Sequence, residues 1–329
     1  MKVVSILSAG QQTSLQDLCR EGYRSFGVPV SGPMDVFAHQ MANALVGNTS
    51  QCAVLEITFG GFECRFAEDA LLAVCGFAHV MVDGQDVPCW RPFIIRHGQQ
   101  LSIQKSLEGV YAYLAIGGGW KGDKWLNSIS TLTSAKKGGY QGRYLQKEDE
   151  LQTAGQISAT GEGILKNIRQ SVASWGISAH ALPYRQQPVF HCLRGPEWEY
   201  FTEDAQQIFV QEGFILSPSS NRMASKLLGP PLPLVEPDKQ LLSKAVCMRN
   251  IQVTPDGSMF LLMADAQTTG GYPRIATLMA ADMPQAAQMR PGRTFHFRWT
   301  SLEYAQKCLL EMEENIYGIF QQIEQRFNQ

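Results

Sequence analysis

No run of this 329-residue sequence approaches the roughly 18 uninterrupted apolar residues that a membrane-spanning helix needs. The N-terminus, "MKVVSILSAGQQTS", has one lysine and an apolar stretch that alternates like a strand, unlike a secretory leader. Net charge is also nearly absent, at −2, whereas a nucleic-acid-binding surface needs a basic stripe. We therefore expect a cytoplasmic protein that binds neither a membrane nor nucleic acid.

Metal-binding motifs are also missing. The 8 cysteines form no CxxC pair, and the 6 histidines are dispersed and form no HExxH sequence. This scatter is typical of reduced, mostly buried thiols. No metal site is expected.

The common catalytic and cofactor signatures are not present either. The sequence has no GxxxxGK[ST] phosphate loop and no GxSxG. The glycine-rich "AIGGGW" ends a predicted strand with no helix after it, so it does not indicate a dinucleotide site. There is no AMKM-type sequence, so we expect no covalently attached biotin on this chain. Any chemistry must therefore come from less familiar polar clusters.

Glycine and proline are frequent, with 30 and 16 residues, and short apolar runs lie between them, a pattern typical of many strands and tight turns. The strands predicted in the first half are 3–7, 54–59, 71–74, 79–82, 101–104 and 110–116. Residues 121–185 are poor in apolar runs and indicate loops and a linker. We predict a mainly β chain with a few helices, in two β-barrel-like lobes that span residues 1–185 and 186–329.

Helices are predicted at four places. The first follows Asp35 as its cap and ends at Gly47, and the second covers 202–210. In "DMPQAAQM", Asp282 and Gln285 fit a capping box. The last is a long C-terminal helix from about Thr300, with an apolar packing stripe.

Two polar clusters lie in the first half. Residues 11–35 gather polar side chains among glycines and prolines, and these either bind a ligand or serve as turn and cap residues. The candidates there are Thr13, Gln16, Asp17, Ser31 and Asp35. Glu56 lies inside the apolar run "AVLEITFGG", where a carboxylate is either at a sheet edge or needs a donor or a cation beside it.

Two further clusters lie in the second half. "SSNRM" offers Asn221 and Arg222, and an arginine there binds a carboxylate or phosphate, or else pairs with a structural carboxylate. The loop "ADAQTTGGYPRIA" follows a buried strand and combines charge, hydroxyls and glycines, the ingredients of an anion-binding nest. Its candidates are Asp265, Gln267, Thr268, Thr269, Gly270, Gly271, Tyr272 and Arg274.

These clusters together resemble a known family. The segments "TSLQDLCREGYRSFGVPVSGPMD", "ANALVGN", "VLEITFGG", "YLAIGGG", "SSNRM" and "DAQTTGGYPRIA" occur in the order and spacing of the allophanate hydrolase subunit 2 family. This family is also described as the biotin-dependent carboxyltransferase domain family. The resemblance runs from about Gly10 to the C-terminal helix, and its most specific part is the last segment.

The resemblance implies two cyclophilin-like β-barrel lobes and an enzyme that works as a complex. Bacterial members of the family include the C subunit of 5-oxoprolinase, which implies two partners, a KipI-like B subunit and a LamB/YcsF-like A subunit. Together these would hydrolyse a small amide, 5-oxo-L-proline, to L-glutamate with ATP and Mg²⁺. For this chemistry we expect Arg222, Arg274 and the 268–271 backbone to bind anions, and Asp265 to manage a proton.

Two other functions fit the same resemblance. One is a urea or amide carboxyltransferase component that uses biotin carried elsewhere, and the other is a KipA-like regulator that binds a KipI-type kinase inhibitor. The sequence departs from the family pattern at several positions, which removes possible anion contacts. They are Gln40, Ile129 in "NSIST", Ala224, Gln240, and Asn250 and Thr254 in "NIQVT".

Overall fold

The computed structural model describes residues 3–186, 188–237 and 241–327, and it divides into two compact units. The first unit comprises the chain up to Arg20, Ser31–Leu182 and the chain from Glu314. The second comprises Glu21–Val30 and Pro183–Glu313. A single boundary at 185 therefore does not describe the units, because the segment Glu21–Val30 belongs to the second unit and the end of the terminal helix to the first.

The first unit is built from two antiparallel sheets. Its strands are β1 (Val3–Ala9), β2 (Gln12–Gln16), β3 (Val54–Thr58), β4 (Phe62–Phe66), β5 (Ala70–Gly76), β6 (Ala78–Val82), β7 (Gln85–Val87), β8 (Pro92–Ile95), β9 (Gln100–Lys105), β10 (Tyr111–Ile116) and β11 (Glu150–Gln152). One sheet has the order β11-β1-β4-β9-β6-β7, and the other has the order β2-β3-β10-β5-β8. All six strands predicted in the first half are confirmed, to within two residues at most ends.

Side chains from both sheets of the first unit meet in one apolar core. Val4 and Ile103 come from the six-stranded sheet, and Leu55, Val74 and Leu114 come from the five-stranded sheet. Every one of these five side chains is fully buried. Burial of this kind is the main favourable contribution to folding.

Two helices belong wholly to the first unit. Helix α1 (Val36–Leu45) lies against β5 and β10, and the Asp35 carboxylate accepts a hydrogen bond from the Ala38 amide at 3.0 Å. The predicted cap is therefore confirmed. Helix α2 (Ala159–Asn167), which Ser158 caps, lies in a region predicted as loops.

The second unit is a closed β-barrel. Its strands are β12 (Val189–Arg194), β13 (Gly213–Leu216), β14 (Ala224–Leu228), β15 (Lys244–Ala245), β16 (Asn250–Val253), β17 (Met259–Leu262), β18 (Thr269–Gly270), β19 (Arg274–Leu278) and β20 (Thr294–Trp299). Seven of them form the barrel in the order β12-β19-β16-β17-β14-β13-β20, which the parallel pairing of β12 with β20 closes. Strands β15 and β18 pair separately. The mainly β prediction is confirmed, with a barrel in this unit and two sheets in the first.

Aromatic packing connects the barrel to a helix. Helix α3 (Glu203–Gln211), capped by Thr202, lies against β20. The ring of Phe209 stacks on that of Phe297 with centroids 4.5 Å apart and planes inclined by 4°. Phe209 also stacks on Trp299 at 5.0 Å. Stacked pairs of this kind add about 0.5–1.5 kcal/mol beyond the apolar area that they bury.

The capping box predicted at Asp282 is wrong in detail. At α4 (Met283–Ala287) the Asp282 carboxylate makes no cap and instead accepts hydrogen bonds from the amide and the ring Nδ1 of His191. Gln285 accepts a hydrogen bond from the Arg185 amide. Helix α5 (Leu302–Phe327) begins two residues after Thr300, and the Ser301 hydroxyl accepts a hydrogen bond from the Tyr304 amide at 3.2 Å. In the described ranges, no helix has the length and apolar character to cross a bilayer.

Candidate functional site

A cavity of about 210 Å³ lies in the second unit, beside the loop that follows β17. Three segments line it: Glu21–Val30, the turn before β16 and the loop itself. The polar residues that line it are Arg24, Cys247, Arg249, Gln267 and Thr268. We call it the arginine cavity.

Among the described residues, both arginines of the arginine cavity have only neutral hydrogen-bond acceptors. A guanidinium nitrogen of Arg24 donates to the Val246 carbonyl, and Nη1 of Arg249 donates to the Leu278 carbonyl at 3.4 Å. The described residues that line the cavity include no carboxylate. Two positive charges are thus available to an anion there.

The backbone of Arg249 is strained. Its φ is +79°, in the left-handed region that few residues other than glycine adopt. Hydrogen bonds on both sides hold it there, from the Arg249 amide to the Leu262 carbonyl and from the Leu278 amide to the Arg249 carbonyl, each 2.8 Å long. Strain of this kind costs of order 1–3 kcal/mol and is concentrated at functional sites.

The two arginines that the sequence favoured for anion binding are paired with carboxylates instead. Arg222 donates to Asp265 through Nε at 2.8 Å and Nη2 at 3.2 Å, and both side chains are buried. Arg274 donates to Glu197 through Nε and Nη2, both at 2.8 Å. Of the two alternatives for Arg222, the structure therefore shows the pairing with a carboxylate.

Glu197 is the centre of a second ion cluster in this unit. It accepts bonds from Arg274 and, at 3.0 Å, from the ammonium of Lys244. Burial alone would raise the pKa of Glu197, but the hydrogen bonds from Arg274 and Lys244 outweigh it and lower the pKa to about 2. Glu197 is thus a carboxylate at neutral pH, and it orients Arg274. Sequence reasoning did not single it out.

The loop after β17 is shaped by its own contacts. Among residues 264–276, all of which the structure describes, none has a positive φ, so the alternating backbone of an anion nest is not formed. Thr269 and Gly270 instead pair with β15, Gln267 donates to Gln252 at 3.2 Å, and the Tyr272 ring is exposed. Gly271 lies next to this short ladder, where its Cβ position is 3.2 Å from the Leu241 carbonyl.

Asn221, in the other cluster of this unit, closes a turn. Its Oδ1 accepts hydrogen bonds from the amides of Met223 and Ala224, at 2.8 and 3.2 Å. The Asn221 side chain therefore stabilises the turn that contains Arg222.

The first polar cluster becomes a buried network in the first unit. The Asp17 carboxylate accepts hydrogen bonds from both serine hydroxyls of the 128–130 loop at 2.6 Å, and from the amides of Ile129 and Ser130. Arg20, fully buried, donates to the Ser130 carbonyl at 2.6 Å and to the Ser31 hydroxyl at 3.3 Å. This cluster fixes a loop.

The other candidates of that unit are also bonded inside the fold. Thr13 donates to the Ala9 carbonyl at 2.7 Å. Glu56 accepts from the Met34 amide at 2.7 Å and from the Tyr113 hydroxyl at 2.9 Å, and Tyr113 also accepts from the Asp35 amide. Burial and the nearby carboxylates raise the pKa of Tyr113, so it is a neutral donor to Glu56.

His39 and Gln16 are buried without complete bonding. Gln16 donates to Ser14 at 2.9 Å, but its Oε1 and both ring nitrogens of His39 have no hydrogen-bond partner of good geometry among the described residues. Burial lowers the pKa of His39 to about 4, although the nearby Asp17 carboxylate and the Gln16 and Cys52 carbonyls favour protonation of the ring.

The positions that depart from the family pattern are spread over the chain. Gln40 and Ile129 lie in the first unit, and Ala224 and Asn250 begin strands of the barrel. Gln240 lies outside the described residues. Sequence reasoning placed Arg24 in the polar cluster 11–35 without choosing it as a site residue, and it missed Arg249, whose only local sign was a cation before "NIQV".

A metal ligand set is not found in the part of the chain that the structure describes: no three or more of its His, Cys, Asp and Glu side chains are placed to hold one ion. The arginine cavity could hold a small anionic ligand, and its thiol, amide and hydroxyl could contact the uncharged part.

Comparison with known proteins supports the family assignment. Residues 26–299 match the model of the family described as carboxyltransferase domain, subdomain A and B. The chain belongs to this family. Among curated relatives it is 35% identical to the C subunit of 5-oxoprolinase from Haemophilus influenzae over 96% of both chains. It is also 35% identical to the protein of the same name from Escherichia coli, over 93% of this chain and 94% of that one.

The family fold is also seen in a solved structure. This carboxyltransferase-family chain superposes on the K. lactis urea amidolyase with a TM-score of 0.87 and 25% identity over 96% of its length. It spans only 20% of that much longer chain. The match therefore concerns one region of a larger enzyme.

Proposed function

We propose that the chain is one subunit of a 5-oxoprolinase, an enzyme complex that hydrolyses 5-oxo-L-proline to L-glutamate with hydrolysis of ATP. The observation that carries the proposal is the 35% identity, over nearly the whole of both chains, to two proteins named as the C subunit of 5-oxoprolinase. Because that name describes one component of several, the activity would belong to an assembly. The isolated chain is expected to be inactive.

The proposed chemistry activates a stable amide before water attacks it. Transfer of the terminal phosphoryl group of ATP to the lactam oxygen would convert that oxygen into part of a leaving group. Water then adds to the lactam carbon, and the ring C–N bond breaks as the nitrogen takes a proton, which leaves the acyl phosphate of glutamate. A second water hydrolyses this acyl phosphate and releases phosphate. The products are L-glutamate, ADP and phosphate.

The needs of this chemistry fit groups of the second unit. The substrate carries a carboxylate, and cations with no carboxylate of their own can bind and orient such a group. The arginine cavity supplies two cations without carboxylate partners among the described residues, together with the Gln267 amide and the Thr268 hydroxyl. Mg²⁺ would enter with the phosphates of ATP.

The proposed partners are the KipI-like protein and the LamB/YcsF-like protein. We place the chain in the cytoplasm with them, since ATP is a co-substrate. Omitting one protein at a time from the assay shows which of the three the activity requires.

A second candidate function is a biotin-dependent urea or amide carboxyltransferase component. The similarity to the K. lactis urea amidolyase, at a TM-score of 0.87, favours it. A separate biotin carrier would then be required, because this sequence has no AMKM-type segment.

The deciding experiment is glutamate release from 5-oxoproline and ATP. The chain is co-purified with the KipI-like protein, mixed with the LamB/YcsF-like protein, and compared with mixtures that lack one component. ATP-dependent glutamate that disappears when this chain is omitted would support the proposal. No glutamate from a complex that still assembles would contradict it. The same complex is then assayed for carboxylation of urea, and finally tested as a KipA-like regulator that binds a kinase inhibitor.

A further inference from the structure

We propose that the arginine cavity binds the carboxylate of the substrate, with Arg249 as a fixed anchor and Arg24 as a second cation from an exposed segment. The ligand class is a small five-membered lactam that carries a carboxylate. The identity of that ligand as 5-oxoproline rests on the proposed function; the binding of a carboxylate does not.

Charge is the first argument. Four arginines lie in and around this part of the barrel unit. Arg222 and Arg274 are each bonded to a carboxylate through two nitrogens, and so are neutralised. Arg24 and Arg249 donate to carbonyls, and the described lining of the cavity contains no acid. A carboxylate ligand would complete both guanidinium groups with the charge-assisted hydrogen bonds that they lack.

Size is the second argument. At about 210 Å³ the cavity is smaller than the roughly 300–1,000 Å³ typical of sites for drug-sized ligands. It therefore suits a molecule of few heavy atoms, not a whole nucleotide. Met263, Val30 and Pro29 provide apolar surface for ring methylene groups, while Gln267 and Thr268 provide polar contacts.

The backbone gives the two arginines different roles. Arg249 is held at a strained φ by two hydrogen bonds to neighbouring strands, which fixes the origin of its side chain. Arg24 is exposed and lies between Gly22 and Gly27, both at positive φ with open space at the Cβ position. Glycines of this kind permit the backbone to change conformation at low cost. We therefore infer that Arg249 is preformed for binding and that Arg24 adjusts to the ligand.

The first test uses the assembled complex. In Arg249→Gln and Arg24→Gln we expect the KM for 5-oxoproline to rise about 10- to 100-fold, with little change in kcat or in the KM for ATP, because a charge-assisted bond to bound substrate is lost. Arg249→Lys should recover part of the loss. Arg298→Gln, which removes an exposed arginine of the same unit outside the cavity, should match the wild type. An unchanged KM for 5-oxoproline in both cavity variants, or a raised KM for ATP alone, would overturn the inference.

The second test needs no turnover and so separates this inference from the proposed function. Cys247 lines the cavity, and its thiol donates weakly to Asn250 at 3.5 Å. Its alkylation rate in the full chain is followed by peptide mass mapping, with 5-oxo-L-proline, 2-pyrrolidinone or inorganic phosphate present. We expect 5-oxoproline to protect Cys247 from alkylation. The other two compounds should need at least a tenfold higher concentration for the same protection.

The outcomes of the two tests are distinct. Protection by 5-oxoproline without glutamate release from the complex would keep the carboxylate site and reject the proposed activity. Glutamate release, with no protection of Cys247 and normal KM values in the variants, would keep the proposed activity and reject the carboxylate site. Equal protection by 2-pyrrolidinone would show that the carboxylate is not recognised, and stronger protection by phosphate would make this a phosphate site. Either of these results would also overturn the inference.

Discussion

Arg222 and Asp265 form a buried pair in which two guanidinium nitrogens donate to the two carboxylate oxygens, at 2.8 and 3.2 Å. The backbone repeats the connection, since the Asp265 amide donates to the Arg222 carbonyl at 2.8 Å. The pair thereby joins the turn before β14 to the loop after β17. Removing the charge of Asp265 would take two charge-assisted hydrogen bonds from a buried guanidinium.

Asp265→Asn is expected to destabilise the chain by about 1.5–3 kcal/mol, because the buried Arg222 would lose its charge-assisted hydrogen bonds to the Asp265 carboxylate. Denaturant unfolding of the full chain measures this. Asp204→Asn, an exposed acid in the first turn of α3, should cost about 1 kcal/mol or less. The double change Arg222→Met with Asp265→Leu should recover much of the loss. Normal stability with lost turnover in the complex would instead support the proton-handling role that the family resemblance suggests for Asp265.

Glu197 should make stability depend on pH under acidic conditions. Its pKa is lowered from 4.5 to about 2, because the bonds from Arg274 and Lys244 exceed the effect of burial. Since the unfolded chain binds this proton first, the contribution of Glu197 is complete above about pH 4.5 and is lost as the pH falls through about 2.

Glu197→Gln tests this dependence. The variant should be less stable than wild type by about 1–3 kcal/mol at pH 7, and the two curves should converge toward pH 2. Glu199→Gln changes an exposed neighbour, and its curve of stability against pH should run parallel to that of the wild type. Parallel curves for Glu197→Gln would show that the ion cluster is already open at neutral pH.

His39 should act over a different pH range. Burial lowers its pKa from 6.5 to about 4, so the unfolded chain takes up this proton while the folded one does not. The stability present above pH 6.5 is therefore lost progressively as the pH falls toward 4, by about 3 kcal/mol at the limit. Unfolding of the wild type between pH 7 and 4 should show this loss, and His39→Phe should flatten it. His180→Gln, at an exposed site, should leave the slope unchanged.

Asp17→Asn should loosen the 128–130 loop. The carboxylate accepts four hydrogen bonds there, whereas an amide would direct its own N–H groups at donors. We expect a loss of about 2–4 kcal/mol and faster amide exchange in that loop. Asp123→Asn is the matched control, because the exposed Asp123 carboxylate accepts one hydrogen bond, from the Gln141 amide. Unchanged exchange with weakened ligand binding would restore Asp17 as a binding residue.

Local signals in the sequence succeeded where a residue interacts with its near neighbours. Asp35 caps α1 because the Ala38 amide is three residues away and lies within reach of the carboxylate. The same signal failed at Asp282, because the His191 amide, 91 residues away, donates to that carboxylate at 2.7 Å. A capping pattern therefore predicts a helix start more reliably than it predicts which atoms are bonded.

By itself, the sequence determined the mainly β architecture, the family and the loop that borders the site, since alternation, turn residues and ordered motifs are properties of short segments. The tertiary structure alone decided which charges are available. Asp265 neutralises Arg222 across 43 positions, and Glu197 neutralises Arg274 across 77. Arg24 and Arg249 have no such carboxylate among the described residues that line their cavity. Electrostatic pairing depends on distance in space, and the chain brings these groups together only when it folds.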